Sequence, residues 1–126
     1  MALAQPLPLK LPEELGTTPD GKHIYPFPFV VNRRELSYLY IDYPHYQEGH
    51  SSYMNDEKIY NITWESSIFG SSELEKINKG WEYYSYQTWI DQTAYKMIWC
   101  WPEEGSNFLG VVTCYHYPKE DKKTKK

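Results

Sequence analysis

At 126 residues, with 40% hydrophobic and 24% charged side chains, the chain is long enough for one domain with its own core; its 13 Tyr, 5 Trp and 4 Phe argue against disorder. From Lys119 onward five lysines face two acids, which leaves eight basic against fifteen acidic residues in the body, a balance of −7 that repels a phosphate backbone and excludes nucleic acid as the expected partner. No apolar run reaches the ~18 residues of a membrane helix, and two cysteines are too few for a disulfide scaffold.

The chain opens "MALAQPLPLKLPEEL", without the basic start or the unbroken apolar stretch of a signal peptide, so a cytoplasmic protein with reduced thiols is the expectation. Pro6, Pro8, Pro12 and Pro19 each remove an amide donor and disfavour helix at the preceding residue. Residues 1–22 therefore read as an extended arm, ready to lie across the body or to clasp a partner. Within it "TTPDGK" is a turn, with Pro19 presetting φ and Asp20-Gly21 supplying the reversal.

"HIYPFPFVV" follows. Its two prolines exclude a central strand and point to an edge strand or a polyproline-like run, with Phe27 and Phe29 facing together. Glu35 to Tyr43 alternates as a strand, with Leu39 and Ile41 on one side and Leu36, Tyr38, Tyr40 and Asp42 on the other. Pro44 ends it, and "HYQEGHSSYMNDEK" reads as a loop. "KIYNITWESSIF" is strand-like in its β-branched and aromatic content. In "GSSELEKINKG", Ser72 and Glu75 have the form of a capping box and Gly80 that of a helix stop, which predicts a short helix with Lys76 and Lys79 near its negative end.

Three strands come last: "WEYYSYQTWI", "AYKMIWCW" and "NFLGVVTCYHY", joined by "DQT" and by "PEEGS" with Gly105 at positive φ. The fold expected is mainly β: a compact antiparallel sheet or small barrel of five to six strands with one short helix. It occupies residues 23–118, between the arm and a Lys-rich tail at 119–126. A turn centred on Glu104-Gly105 sets Cys100 opposite Leu109 and Cys114 opposite Tyr95, beyond the ~7 Å Cα separation that a disulfide needs. Two free, buried thiols are expected; a wider loop centred on Asn107 would permit a bridge.

The aromatic rows are the main functional signal. If Tyr38 and Tyr40 share a face with the Trp99 row, the sheet carries a platform of Tyr38, Tyr40, Trp81, Tyr83, Tyr95, Trp99 and Trp101. Such a face stacks on flat ligands or partner side chains. The plainer alternative makes one row core and covers the other with arm and helix, since aromatics are ordinary strand formers. Asp42, His45, Glu48 and His50 have the residue types for a metal or for acid–base work, but their spacing matches no zinc pattern and no metal is assigned. Cys114 and His116 share a strand face and could form a nucleophile–base pair; no third orienting group is evident, and buried cysteines usually act as small hydrophobes. Glu65, Glu82 and Asp91 are acids among aromatics, where burial raises a carboxyl pKa and makes it a proton carrier. Asn61-Ile62-Thr63 has the glycosylation pattern but falls mid-strand, so it is read as chance.

No phosphate loop, nucleophile elbow, HExxH or CxxC is present, so no cofactor and no family is assigned. The function expected is that of a non-catalytic binding or interaction module, such as an adaptor, inhibitor or assembly subunit. Its partner is a protein or a small aromatic or apolar ligand, and homo-oligomerisation is compatible with either. The alternative is a small β-barrel enzyme (isomerase, cyclase or decarboxylase) or a carrier, acting on an aromatic or lipid-like molecule.

Overall fold

The computed structural model describes residues 9–50, 53–69, 72–90 and 92–116, with the last two residues of the first helix described by their backbone alone. The start of the arm, Asp91 and the Lys-rich tail therefore lie outside the described residues. In chain order the elements are β1 (Gly16–Thr17), β2 (His23–Pro26), β3 (Val30–Val31), β4 (Arg34–Glu35), β5 (Tyr38–Ile41), α1 (Tyr43–His50), α2 (Asp56–Phe69), β6 (Glu73–Asn78), β7 (Trp81–Ile90), β8 (Thr93–Pro102) and β9 (Phe108–His116). Seven strands form one sheet in the order β1-β2-β5-β9-β8-β7-β6, while β3 and β4 make a separate hairpin. All pairings in the large sheet are antiparallel except β5 with β9. The mainly β fold is thus realised as an open sheet rather than a closed barrel.

The C-terminal meander follows from turn chemistry. Asn78 pairs with Trp81 across a two-residue turn in which Lys79 and Gly80 both have positive φ, the geometry of a type I′ hairpin. Gly80 therefore closes a β-turn and not a helix, and the stretch predicted as helix is strand β6. Leu74 and Ile77, spaced as on a helix, are brought to one face by a register shift between Leu74 and Lys76. Ile90 pairs with Thr93 at the next reversal, as "DQT" promised, and Gly105 takes positive φ at the last.

The second correction is larger. "KIYNITWESSIF" lies in helix α2, not in a strand. Asn55 caps it, its Oδ1 accepting the Lys58 N–H at 2.8 Å, and Asp56 and Glu57 place negative charge in the first turn. Ile59, Ile62, Thr63 and Ser66 are buried at helical spacing along one face. Residues read as a loop after Pro44 form α1, capped by Asp42.

Both helices serve the same side of the sheet. Leu39 and Ile41 of β5, Met97 and Trp99 of β8, and Leu109 and Val111 of β9 are buried there with Ile59 and Ile62 of α2 and Tyr46 of α1. The arm from Leu9 onward lies over this core: Leu9 and Leu11 pack against it. Asn61 grips the Leu9 backbone at both ends, its Oδ1 accepting the Leu9 N–H at 2.8 Å and its Nδ2 donating to the Leu9 carbonyl at 3.0 Å. The amide of the apparent glycosylation triplet is thus a buried structural hook on a helix. Phe27 and Phe29 do face together, at 4.8 Å between ring centroids.

Cys100 and Cys114 are free and buried. Cys100 pairs with Gly110 in place of Leu109, a one-residue offset already present at the turn, and Cys114 pairs with Met97 in place of Tyr95, a two-residue offset to which the bulge between Val111 and Thr113 adds the second residue. The two thiols face opposite sides of the sheet.

Candidate functional site: an aromatic cleft on the open sheet face

The side of the sheet away from the helices carries a cleft of about 480 Å³, within the size range of small-ligand sites. Four neighbouring strands build it. Strand β5 supplies Tyr40, β9 supplies Phe108, Gly110 and Val112, β8 supplies Cys100, and β7 supplies Trp81 and Tyr83. These residues share a face because of register: Tyr40 pairs with Gly110, Gly110 with Cys100, and Cys100 with Tyr83. Val112 joins them through the β9 bulge, as the extra residue between Val111 and Thr113.

The rings form a row. Tyr40 and Phe108 lie 4.9 Å apart and Phe108 and Trp81 6.2 Å apart, centroid to centroid. Gly110 leaves the floor low between Tyr40 and Cys100. A Cβ there would sit 3.8 Å from the Cys100 sulfur, an ordinary contact, so the missing side chain opens space that the packing does not demand. Cys100 is held protonated at neutral pH, its thiol pushed up to about 11 by burial.

Polar groups gather at one end. The "TTPDGK" turn is closed by the Thr18 N–H donating to the Lys22 carbonyl at 2.8 Å and by the Lys22 N–H donating to the Thr18 hydroxyl at 2.8 Å. It brings Asp20 and Lys22 to the rim as an ion pair of 2.5 Å. The Lys22 ammonium, helped by the Thr18 hydroxyl, holds the exposed Asp20 carboxyl down at about 2, and Asp20 in turn raises Lys22. Gly21 in that turn has φ +91°, and its α-carbon abuts Pro44 so closely that a Cβ would lie 2.7 Å from the Pro44 Cγ. This contact locks the turn against the start of α1. Beside it, Asp42 spends Oδ1 on capping α1, accepting the His45 N–H at 3.3 Å. Among the described residues no hydrogen bond engages its second oxygen.

On the covered side Asp56 is the polar centre. Its Oδ2 accepts from His23 Nδ1 and from the Tyr25 hydroxyl, each at 2.6 Å, and its Oδ1 accepts the Tyr46 hydroxyl at 2.6 Å. His23 stacks on Tyr43 at 4.4 Å. The carboxylate therefore ties β2, α1 and α2 together, and burial together with Asp56 raises the Tyr25 and Tyr46 phenols well above their ordinary range. Two of the acids singled out in the sequence, Glu65 and Glu82, have similar tasks. Glu65, on α2, accepts from the Tyr86 hydroxyl at 2.9 Å and from Thr88, also at its Oε2. Glu82 accepts the Trp101 indole N–H at 2.8 Å and the Tyr84 hydroxyl at 3.0 Å.

The seven residues expected to share one platform are divided by the sheet. Tyr38, Tyr40, Trp81 and Tyr83 stand on the open side. Tyr95, Trp99 and Trp101 point into the helix-covered core, with exposures of 4%, 0% and 2%. The two-residue reversal after Ile90 settles this, because it sets Tyr83 opposite Cys100 and Tyr84 opposite Trp99. Phe108, Gly110, Cys100 and Asp42 complete the cleft. The short "DQT" turn was the available signal for Cys100; nothing in the sequence pairs β5 with β9. Asp42 and His45 share the α1 cap, while Cys114 is buried and pushed up to about 12, and His116 stacks on Tyr53 at 3.5 Å. No cluster of three or more His, Cys, Asp or Glu among the described residues is placed to hold a metal ion. No helix among them is long and apolar enough to cross a membrane.

No family model, curated protein or solved structure matches this chain.

Proposed function

We propose that this protein is a non-catalytic binding module that receives a flat or apolar group of its partner in the cleft on the open sheet face. The observation that carries this reading is the row Tyr40–Phe108–Trp81, with Tyr83 beside it, around a floor kept low by Gly110. Aromatic rings left accessible around a concavity supply contact area at small entropic cost, and Tyr offers a polar tip as well. Cys100 supports binding over covalent chemistry, since a thiol held at about 11 is a poor nucleophile at neutral pH.

The test is Gly110→Leu, which fills the cleft from its floor. Partner or ligand capture from the protein's own source, followed by amide NMR shifts at residues 40, 83 and 110, should be lost in that variant while the fold persists. Binding that survives both Gly110→Leu and Trp81→Ala would place the interface elsewhere. An enzyme reading has one observation on its side: Asp42 sets a carboxylate with a disengaged oxygen among the residues lining the cleft, next to Tyr40, where it could move a proton. It requires turnover that disappears in Asp42→Asn while ligand binding remains.

A further inference from the structure

We infer that the cleft is a guanidinium site, which takes the side chain of an arginine presented by a basic segment of a partner protein. The inference rests on the binding-module reading and specifies its ligand.

Three observations lead to it. First, the walls are π faces. Tyr40, Phe108, Trp81 and Tyr83 present ring surfaces whose quadrupole attracts a cation, and a planar guanidinium stacks on such rings as well as being drawn to them. Second, the charge at the rim has the right sign. Asp20, Asp42 and Lys22 line the cleft, and Asp20 holds Lys22 at 2.5 Å, so the lysine charge is already answered. Asp42 lies within electrostatic reach of Lys22 but forms no ion pair with it among the described residues: one oxygen caps α1, and the other is available to accept from an N–H fork. The body around it carries −7, which draws a basic segment in and gives association a salt-dependent rate. Third, the molecule already makes this recognition internally. On the other side of the sheet the Arg34 guanidinium lies 3.9 Å from the Trp101 ring centroid, while Glu82 accepts the indole N–H of the same ring. Tyr83 itself has the Lys76 ammonium 5.1 Å from its ring centroid.

The experiment compares acetyl-arginine amide with acetyl-citrulline amide, its neutral near-isostere, by NMR titration of the whole chain at low salt. Arginine should shift the amides of residues 40, 83 and 110 with at least about tenfold higher affinity than citrulline. Asp42→Asn should bring arginine down to the citrulline level. Asparagine still caps a helix, so that variant keeps its fold. Lys22→Gln, which releases Asp20, should tighten arginine binding a few-fold. Equal binding of arginine and citrulline would overturn the guanidinium assignment and leave the binding module standing. A stronger response to tetramethylammonium than to arginine would overturn it in favour of a small free ammonium ligand. If no probe moves the cleft amides, and Gly110→Leu leaves partner capture intact, the binding-module reading falls as well.

Discussion

The two sides of the sheet are made from the same kinds of residue and do opposite work. On the covered side Trp99 stacks on Tyr84 at 4.4 Å, donates its indole N–H to Ser72 at 3.2 Å, and is fully buried. On the open side Trp81 belongs to a comparable aromatic row, yet keeps 36% of its surface in solvent. Residue type does not separate them. What separates them is that α1, α2 and the stretch around Leu9 and Leu11 all land on one side, so the polar tips of that side had to find partners within the protein. The acids among the aromatics are those partners. Asp56, Glu65 and Glu82 each accept two or three hydrogen bonds from Tyr, Trp, His or Thr. A carboxylate surrounded by aromatic rings is thus a structural tie on the covered side, whereas Asp42 at the cleft retains a disengaged oxygen.

The contrast can be broken by deletion. Trp99→Ala should cost about 3–5 kcal/mol, as removal of a fully buried large aromatic does, and urea denaturation measures it. A cost near zero would mean that the helices do not cover that face. Asp56→Ala comes next, at about 2–4 kcal/mol, because three donors lose one buried acceptor together; Asp56→Asn should recover part of this. Thermal melts of the two variants, compared with His23→Ala, would show whether the carboxylate ties one residue or three.

Alkaline pH probes both sides at once. The thiols of Cys100 and Cys114 are pushed by burial from an ordinary 9 to about 11 and about 12, and Tyr25 and Tyr46 are raised as well. Above pH 9 the unfolded chain releases protons that the native state retains, so the free energy of unfolding falls as pH rises. Below pH 9 that contribution is whole. Stability should be flat with respect to these groups from pH 6 to 8 and decline steadily from pH 9 to 11; Cys114→Ala should shallow the decline. A rise over that range would contradict the burial of the thiols.

Smaller effects sharpen the picture at the cleft. Gly21→Ala should destabilise by about 1–2 kcal/mol, since the position needs positive φ and the new methyl would meet the Pro44 ring. Trp81→Ala should lie at the bottom of the stability scale, under about 1 kcal/mol, and near the top of the binding scale. If Trp81→Ala unfolds the protein as readily as Trp99→Ala, the two faces are not distinct.

Some of this was legible in advance. The alternation of Leu39 and Ile41 against Tyr38 and Tyr40, the Asp20-Gly21 reversal, the Gly105 turn and the free thiols all follow from local chemistry and appear as expected. The failures have physical causes. "KIYNITWESSIF" carries β-branched and aromatic residues that favour strands, but Asn55, Asp56 and Glu57 begin it as a helix and its buried positions recur with helical period. "SSELEKINKG" has a capping-box pattern, yet Lys79 and Gly80 adopt the two positive φ angles of a hairpin, and pairing with β7 outweighs a weak local helix.

Composition and local pattern suffice for the class of object: an acidic, aromatic-rich, mainly β body whose last three strands meander through short turns. Those properties reside in composition, period and turn residues, all of which act over a few neighbours. Which aromatic row is core and which is a cleft is set by long-range packing. That depends on β5 pairing in parallel with β9, Leu39 against Leu109, and on both helices packing against one side of the resulting sheet. Contacts between residues seventy positions apart leave no local pattern to read, so the same tyrosines and tryptophans stay ambiguous until the chain closes on itself.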